Sequence, residues 1–173
     1  MWGLKNFKLG KIQRLDYPDN FFDNILVTDV FYMLHPAGIK EALGECRRCL
    51  KDGGHLILDS ATYNWLLSRH DLATSTVKRY SAKELSDFLV GSDFKIIRKF
   101  HRVFFLFPVT AAVKNSEKLL LLLGSESNGG DLQRVPSLLN LLLTKIMYFE
   151  ASVLRFVDLP VGTSVFIVAR KTT

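Results

Sequence analysis

Cysteine is scarce: the 173 residues hold two thiols, Cys46 and Cys49. Two thiols three positions apart offer no disulfide framework, so a reducing, cytoplasmic setting is the expectation. Long apolar runs are lacking as well. The greasiest segments, 103–113, 119–123 and 138–143, each fall well short of the roughly 20 apolar residues that a membrane-crossing helix needs. That length argues against spanning a bilayer and leaves lying on its surface open. The opening Met1 to Lys8 has no apolar stretch of the kind a secretory signal requires. Internal repeats are absent, and no nucleic-acid motif accompanies the basic residues, so nucleic acid is not an expected partner. Acidic residues are the scarcer charge, 17 against 23 Lys and Arg, for a net +6 that favours anionic surfaces or ligands. What is present is ordinary globular material, 48% hydrophobic and 23% charged, enough for a core without disulfides or a structural metal.

The run Asn24-Ile25-Leu26-Val27-Thr28, bounded by Asp23 and Asp29, has the pattern of a parallel strand buried on both faces. Ile39, Ala42, Leu43, Cys46 and Leu50 then recur at helical spacing, opposite Lys40, Glu41, Glu45, Arg47 and Arg48. A turn at Lys51-Asp52-Gly53-Gly54 and a strand His55 to Asp59 complete a βαβ unit. Tyr63, Trp65 and Leu66 suggest a short helical piece within a loop from Ser60 to Tyr80. Ser81-Ala82-Lys83-Glu84 is a capping box, so a helix begins at about Ala82; Leu85, Phe88 and Leu89 form its apolar face and Gly91 ends it. A third strand is expected at Phe94 to Arg98, helices near Ala111 to Leu123 and Ser137 to Phe156, a flexible loop at about 124–134, and a last strand at Ser164 to Ala169. The whole reads as one α/β domain.

Several strings resemble the C-terminal part of class I S-adenosylmethionine-dependent methyltransferases. Leu15-Asp16-Tyr17-Pro18-Asp19-Asn20-Phe21-Phe22-Asp23 is similar to that family's lead-in to its fourth strand, and Val27-Thr28-Asp29-Val30 to the end of that strand. Cys49 to Leu58 resembles the turn into the fifth strand. The segments Ser68-Arg69-His70-Asp71, Lys78-Arg79-Tyr80-Ser81 and Glu84-Leu85 are similar to a stretch found in one subgroup, and Gly162 to Phe166 to the entry into the seventh strand. The resemblance implies the C-terminal half of a Rossmann-like methyltransferase sheet, with strands equivalent to 4, 5, 6 and 7 and covering helices. Residues 1–173 form a single partial domain on this reading.

The family's glycine-rich cofactor loop is not in the sequence. Counting back from Leu15, the chain starts near the third strand, so the first strand and the acid that would hold the ribose hydroxyls are missing too. Lys11 stands where an acid usually lies beside the adenine, and Tyr32 and Met33 replace a Glu-His pair. What the resemblance implies is a truncated methyltransferase-like chain, with S-adenosyl-L-methionine as cofactor and a small or lipid-like methyl acceptor.

By the same resemblance Ile12, Thr28 and Asp29 bind the cofactor, His70 and Asp71 position substrate or act as base, and Tyr32, Arg79 and Tyr80 contact the substrate. The alternatives are a non-catalytic interaction module, whose exposed fourth-strand edge would recruit a second copy or a partner chain, and a peripheral membrane protein built on the leucine runs with Lys114, Lys118, Lys145 and Arg155. The Cys46-Arg47-Arg48-Cys49 pair lies near a helix end with Cys46 on the apolar face, which fits a core role better than redox or metal chemistry. No metal is expected.

Overall fold

A computed structural model describes residues 8–66, 76–113 and 136–172. In order they form β1 (Phe22–Thr28), a 3-10 turn (Phe31–Met33), α1 (Pro36–Cys49), β2 (Leu50–Ala61), a second 3-10 turn (Asn64–Leu66), α2 (Ala82–Val90), β3 (Phe94–Arg102), α3 (Ser137–Val153) and β4 (Ser164–Lys171). Residues 107–113 are helical as well. The four strands form one sheet in the order β1-β2-β4-β3, with β1 parallel to β2 and β4 antiparallel to both its neighbours. This is the mixed α/β arrangement the sequence implies, with β1, β2, β3 and β4 in the places of strands 4, 5, 6 and 7.

α1 starts at a proline, whose fixed φ suits a first helical position, and buries Ile39, Ala42, Leu43, Cys46 and Cys49 as one stripe. It does not end in the expected turn. Leu50 is already extended and begins β2, so helix runs straight into strand. The surplus residues are absorbed as a bulge, because Phe22 pairs with Leu50 while Asn24 pairs with His55. Gly53 takes φ +73° there, and a Cβ on Gly54 would lie 2.9 Å from the Asp23 carbonyl oxygen of β1. The glycine pair therefore shapes a bulge against the neighbouring strand.

α2 has the full capping box: the Glu84 amide donates to Ser81 Oγ at 3.2 Å, and the Ser81 amide to Glu84 Oε2 at 2.8 Å. Leu85 and Leu89 face the core. Gly91 is its C-cap with φ −69°, helical rather than left-handed.

The sheet has two unlike faces. Val27, Leu56, Leu58, Val165, Ile167 and Ala169 join α1 and α2 in the buried core. On the other face the pairing sets Leu26, Ile57, Val168 and Arg98 in one row and Thr28, Asp59, Phe166 and Phe100 in the next. Leu26 is 61% exposed. Among the described residues β1 is thus an edge strand covered on one face, not the doubly buried strand its composition suggests; a continuous apolar run does not reveal whether a second layer covers the sheet.

Adjacent antiparallel strands can be joined by a two-residue hairpin, yet β3 and β4 are joined by residues 103–163. That connection is pinned at its start. The buried Glu150 carboxylate of α3 accepts from the amides of Val103, Phe104 and Phe105 at 2.5, 2.7 and 3.2 Å, where Val103 sits at φ +62°. At its far end Gly162 passes so close to β3 that a Cβ there would lie 2.1 Å from the Arg102 carbonyl oxygen.

Candidate functional site

In open α/β sheets ligands gather outside the carboxyl ends of the parallel strands. Here those ends are Thr28 of β1 and Asp59 of β2, directly paired. Asp29 leaves β1 at φ +53°, a conformation that its short polar side chain tolerates, and its amide donates to the Asp59 carbonyl oxygen at 3.1 Å. Asp59 Oδ1 is buried and has no hydrogen-bond donor. Burial first, and the negative charge of Asp29 second, push the Asp59 carboxyl up to about 6, with Arg102 acting in the opposite direction.

Arg102 lies over the Phe166 ring at 5.1 Å, and Phe166 stacks on Phe100 at 5.5 Å. Beyond the end of β2 an aromatic group forms around Tyr63, which stands at φ +64°. Its ring lies 5.6 Å from Phe107, 6.0 Å from Trp65 and 6.5 Å from His101. His101 is buried, with Nδ1 3.3 Å from the Leu159 carbonyl oxygen, and burial lowers its proton affinity.

Three segments converge on this end of the sheet. The amides of Val77 and Lys78 donate to the Tyr32 carbonyl oxygen at 2.9 and 3.1 Å. The Arg79 amide donates to Asn64 Oδ1 at 3.1 Å, and its guanidinium reaches the Thr62 carbonyl oxygen at 3.5 Å. Tyr80 is 1% exposed and donates its hydroxyl to the Leu34 carbonyl oxygen at 2.8 Å. Thr28, Asp29, Tyr32, Arg79 and Tyr80 thus belong to one neighbourhood, with Tyr80 built into the core below it.

Ile12 is half-buried and packs on the core. It also lines a hollow of about 260 Å³ with Lys8, Gly10, Lys11, Arg14 and Tyr17. The segment after it is held by Arg48, which donates to the carbonyl oxygens of Leu15 and Tyr17 and to both oxygens of Glu45 at 2.8–2.9 Å. Glu45 in turn accepts from the Leu15 amide, and Arg48 with that amide brings its carboxyl down to about 2. His70 and Asp71 lie outside the described residues, as does the loop at 124–134.

Sequence reasoning missed Asp59, Arg102 and the aromatic group. A signal existed for Asp59, an acid ending an otherwise apolar strand at its carboxyl end. None existed for Arg102 or His101, because the third strand was expected to stop at Arg98. Cys46 and Cys49 are buried free thiols, and burial raises Cys46 to about 12, which suits packing and opposes thiolate chemistry.

This set of acceptors fits the hydroxyls and amino group of an adenosyl ligand on one side. Thr28, Asp29 and the orphaned oxygen of Asp59 offer acceptors beside the strand ends, while among the described residues no glycine-rich turn follows β1 or β2 for close backbone approach.

Comparison with known proteins agrees. Residues 3–58 match a family model described as a methyltransferase domain. No curated protein matches the chain. Among solved structures, a S-adenosylmethionine-dependent methyltransferase from Methanosarcina mazei superposes with a TM-score of 0.54 at 16% identity, over 96% of this chain and 66% of its own. The [4+2]-cyclase SpnF gives 0.53 at 18%, over 97% and 56%. A putative methyltransferase of Haloferax volcanii, solved with the Trm112 methyltransferase activator, gives 0.53 at 14%, over 95% and 60%. The chain spans about three-fifths of these structures, and what they share is the class I methyltransferase fold.

Proposed function

We propose that this chain, methyltransferase-like in fold and, over residues 3–58, in sequence, supplies the acceptor-side wall of a S-adenosylmethionine-dependent methyl-transfer site. The other wall comes from a glycine-rich half docked along β1. The observation that carries this reading is the pairing of Thr28, Asp29 and Asp59 at the carboxyl ends of two parallel strands, beside a β1 edge with no further strand among the described residues.

S-adenosylmethionine supplies an electrophilic methyl group on a sulfonium. Methyl transfer then asks the protein to align the nucleophile and, where it carries a proton, to accept that proton. Asp29 places a carboxylate at the strand end. Asp59 is the proton acceptor, because a carboxyl near 6 is mostly ionised at pH 7 and yet more basic than an ordinary aspartate. Arg79, Tyr32 and the Tyr63 group line the acceptor side, a surface suited to a small or lipid-like acceptor with an apolar body. His70 and Asp71 complete the acceptor side in this proposal, and Ile12 packs on the adenine.

The test joins a glycine-rich strand–turn–helix half ahead of residue 8 and titrates S-adenosylmethionine calorimetrically. Binding is expected in the joined protein and weakens at least tenfold in Asp29→Ala. Equal affinity of Asp29→Ala and the parent overturns the assignment.

A non-catalytic reading rests on a different observation, the Lys11, Tyr32 and Met33 departures together with the open β1 edge. It predicts a dimer, or a complex that buries this edge. A monodisperse monomer in sedimentation at micromolar concentration counts against the dimer.

A further inference from the structure

Among the described residues, twelve of the twenty exposed large hydrophobic ones belong to the β3–β4 connection. α3 is their main carrier. Leu138, Leu139, Leu141 and Leu142 are 79, 46, 52 and 55% exposed and, with Lys145, line an apolar surface groove of about 460 Å³. Tyr148, Phe149 and Phe156 follow, at 73, 59 and 86%. Monomeric soluble proteins rarely leave so much contiguous apolar surface without a partner.

The charges on this element say which partner. α3 contains a single acid, Glu150, which is 1% exposed and engaged by three backbone amides. Asp158, just beyond, is bound by Arg98 at 2.7 Å. Exposed Lys145 and Arg155 therefore set the charge of the surface between 137 and 157, on a chain of net +6. A two-fold contact with a second copy would bring these cations towards their own counterparts. An anionic interface takes both the leucines and the cations. At 17 residues α3 is about 25 Å long, and no described helix is long and apolar enough to cross a membrane. Its geometry is that of a helix lying in the plane of the interface, leucines towards the acyl chains, tyrosine and the cations at headgroup level.

We propose that α3 and the adjoining Arg155-Phe156-Val157 form a docking surface for an anionic lipid bilayer. Glu150 fixes that surface to the exit of β3, so the bilayer lies beside the strand carrying Arg102. The inference stands on exposure and charge alone, independent of any methyl-transfer reading.

The experiment is flotation of the full chain with vesicles of phosphatidylcholine, and of phosphatidylcholine with about 30% phosphatidylserine, at low and high salt. Co-flotation with the anionic vesicles is expected, falling at 0.5 M NaCl as screening shortens the reach of the cations. Leu138→Asp/Leu141→Asp, at exposed positions where folding is undisturbed, reduces the bound fraction at least tenfold. Lys145→Glu/Arg155→Glu abolishes the preference for phosphatidylserine. Val90→Asp, an equally exposed apolar position on α2, floats like the parent. Absence of flotation with both vesicle types overturns the proposal, as does equal flotation of the Leu138→Asp/Leu141→Asp protein. A dimer in sedimentation that this variant dissolves, without vesicle binding, assigns the surface to a second copy and overturns it too.

Discussion

The α1 and α2 layer and the β3–β4 connection use the same side chain to opposite ends. Leu43, Leu56, Leu58, Leu85 and Leu89 are fully buried, while Leu138, Leu141 and Leu142 stand more than half exposed. The difference lies in packing. On α1, Ile39, Ala42, Leu43 and Cys46 make one stripe that meets the alternate residues of β2 and β4, so helix period and strand period bury the same core. On α3 Leu138, Leu141 and Leu142 also share one helical face, at i, i+3 and i+4, but it stays open and lines a surface groove rather than the core. Helical spacing therefore announces an apolar face, whereas only the packing shows whether this chain covers it.

The sharpest way to break that comparison is paired truncation. Leu58→Ala is expected to cost about 3 kcal/mol in urea denaturation, and Leu141→Ala less than about 0.5 kcal/mol. Similar losses at both positions would mean that α3 is packed in solution as the core is. Next comes the joint between the regions. Glu150→Ala leaves three part-buried amides without this acceptor and is expected to cost about 2 kcal/mol, with Glu150→Gln costing less because one oxygen still accepts. A cost near zero for Glu150→Ala would detach α3 from the exit of β3.

Arg48→Ala removes the clamp on residues 15–19 and is expected to lower the urea midpoint of unfolding. It also changes the acid limb. Glu45, held down to about 2 in the folded protein, stabilises it above the ordinary glutamate range and loses that contribution as pH falls from about 4.3 towards 2. In Arg48→Ala the slope of stability across that window flattens, and an unchanged slope would remove Arg48 as its cause.

The smallest effect is a gain. Asp59 is raised to about 6 when folded, so the folded state binds its proton more tightly than the unfolded chain. Its favourable contribution is complete below the unfolded value of about 3.9 and is lost as pH rises through about 6. At pH 7.5 the ionised group is a liability, and Asp59→Asn is expected to raise stability by about 1 kcal/mol, a gain that vanishes near pH 4. Stability that is unchanged at pH 7.5 would mean that Asp59 is solvated and unfit as a proton acceptor.

Much of this fold was legible in the sequence, for reasons that differ by element. The capping box at Ser81 and Glu84 and the stripe of α1 are local patterns that their elements cannot do without, and both stand. The turn expected at Lys51 to Gly54 failed because glycine pairs serve bulges as well as turns, and only the register of β1 against β2 tells the two apart. β3 runs on to Arg102 because pairing with β4 overrides the polar composition after Arg98. The site was half legible. Thr28 and Asp29 follow from the strand-end rule, whereas Asp59 beside Asp29 and Arg102 over Phe166 depend on strands far apart in sequence.

On the proposed function these residues make one wall of a methyl-donor site and not the whole of it. Equilibrium dialysis of the 173-residue chain with labelled S-adenosylmethionine tests it most directly. No saturable binding is expected up to about 1 mM cofactor; saturable binding at about 10 μM, equivalent to about 7 kcal/mol from this wall alone, would mean that the site is complete without a second wall.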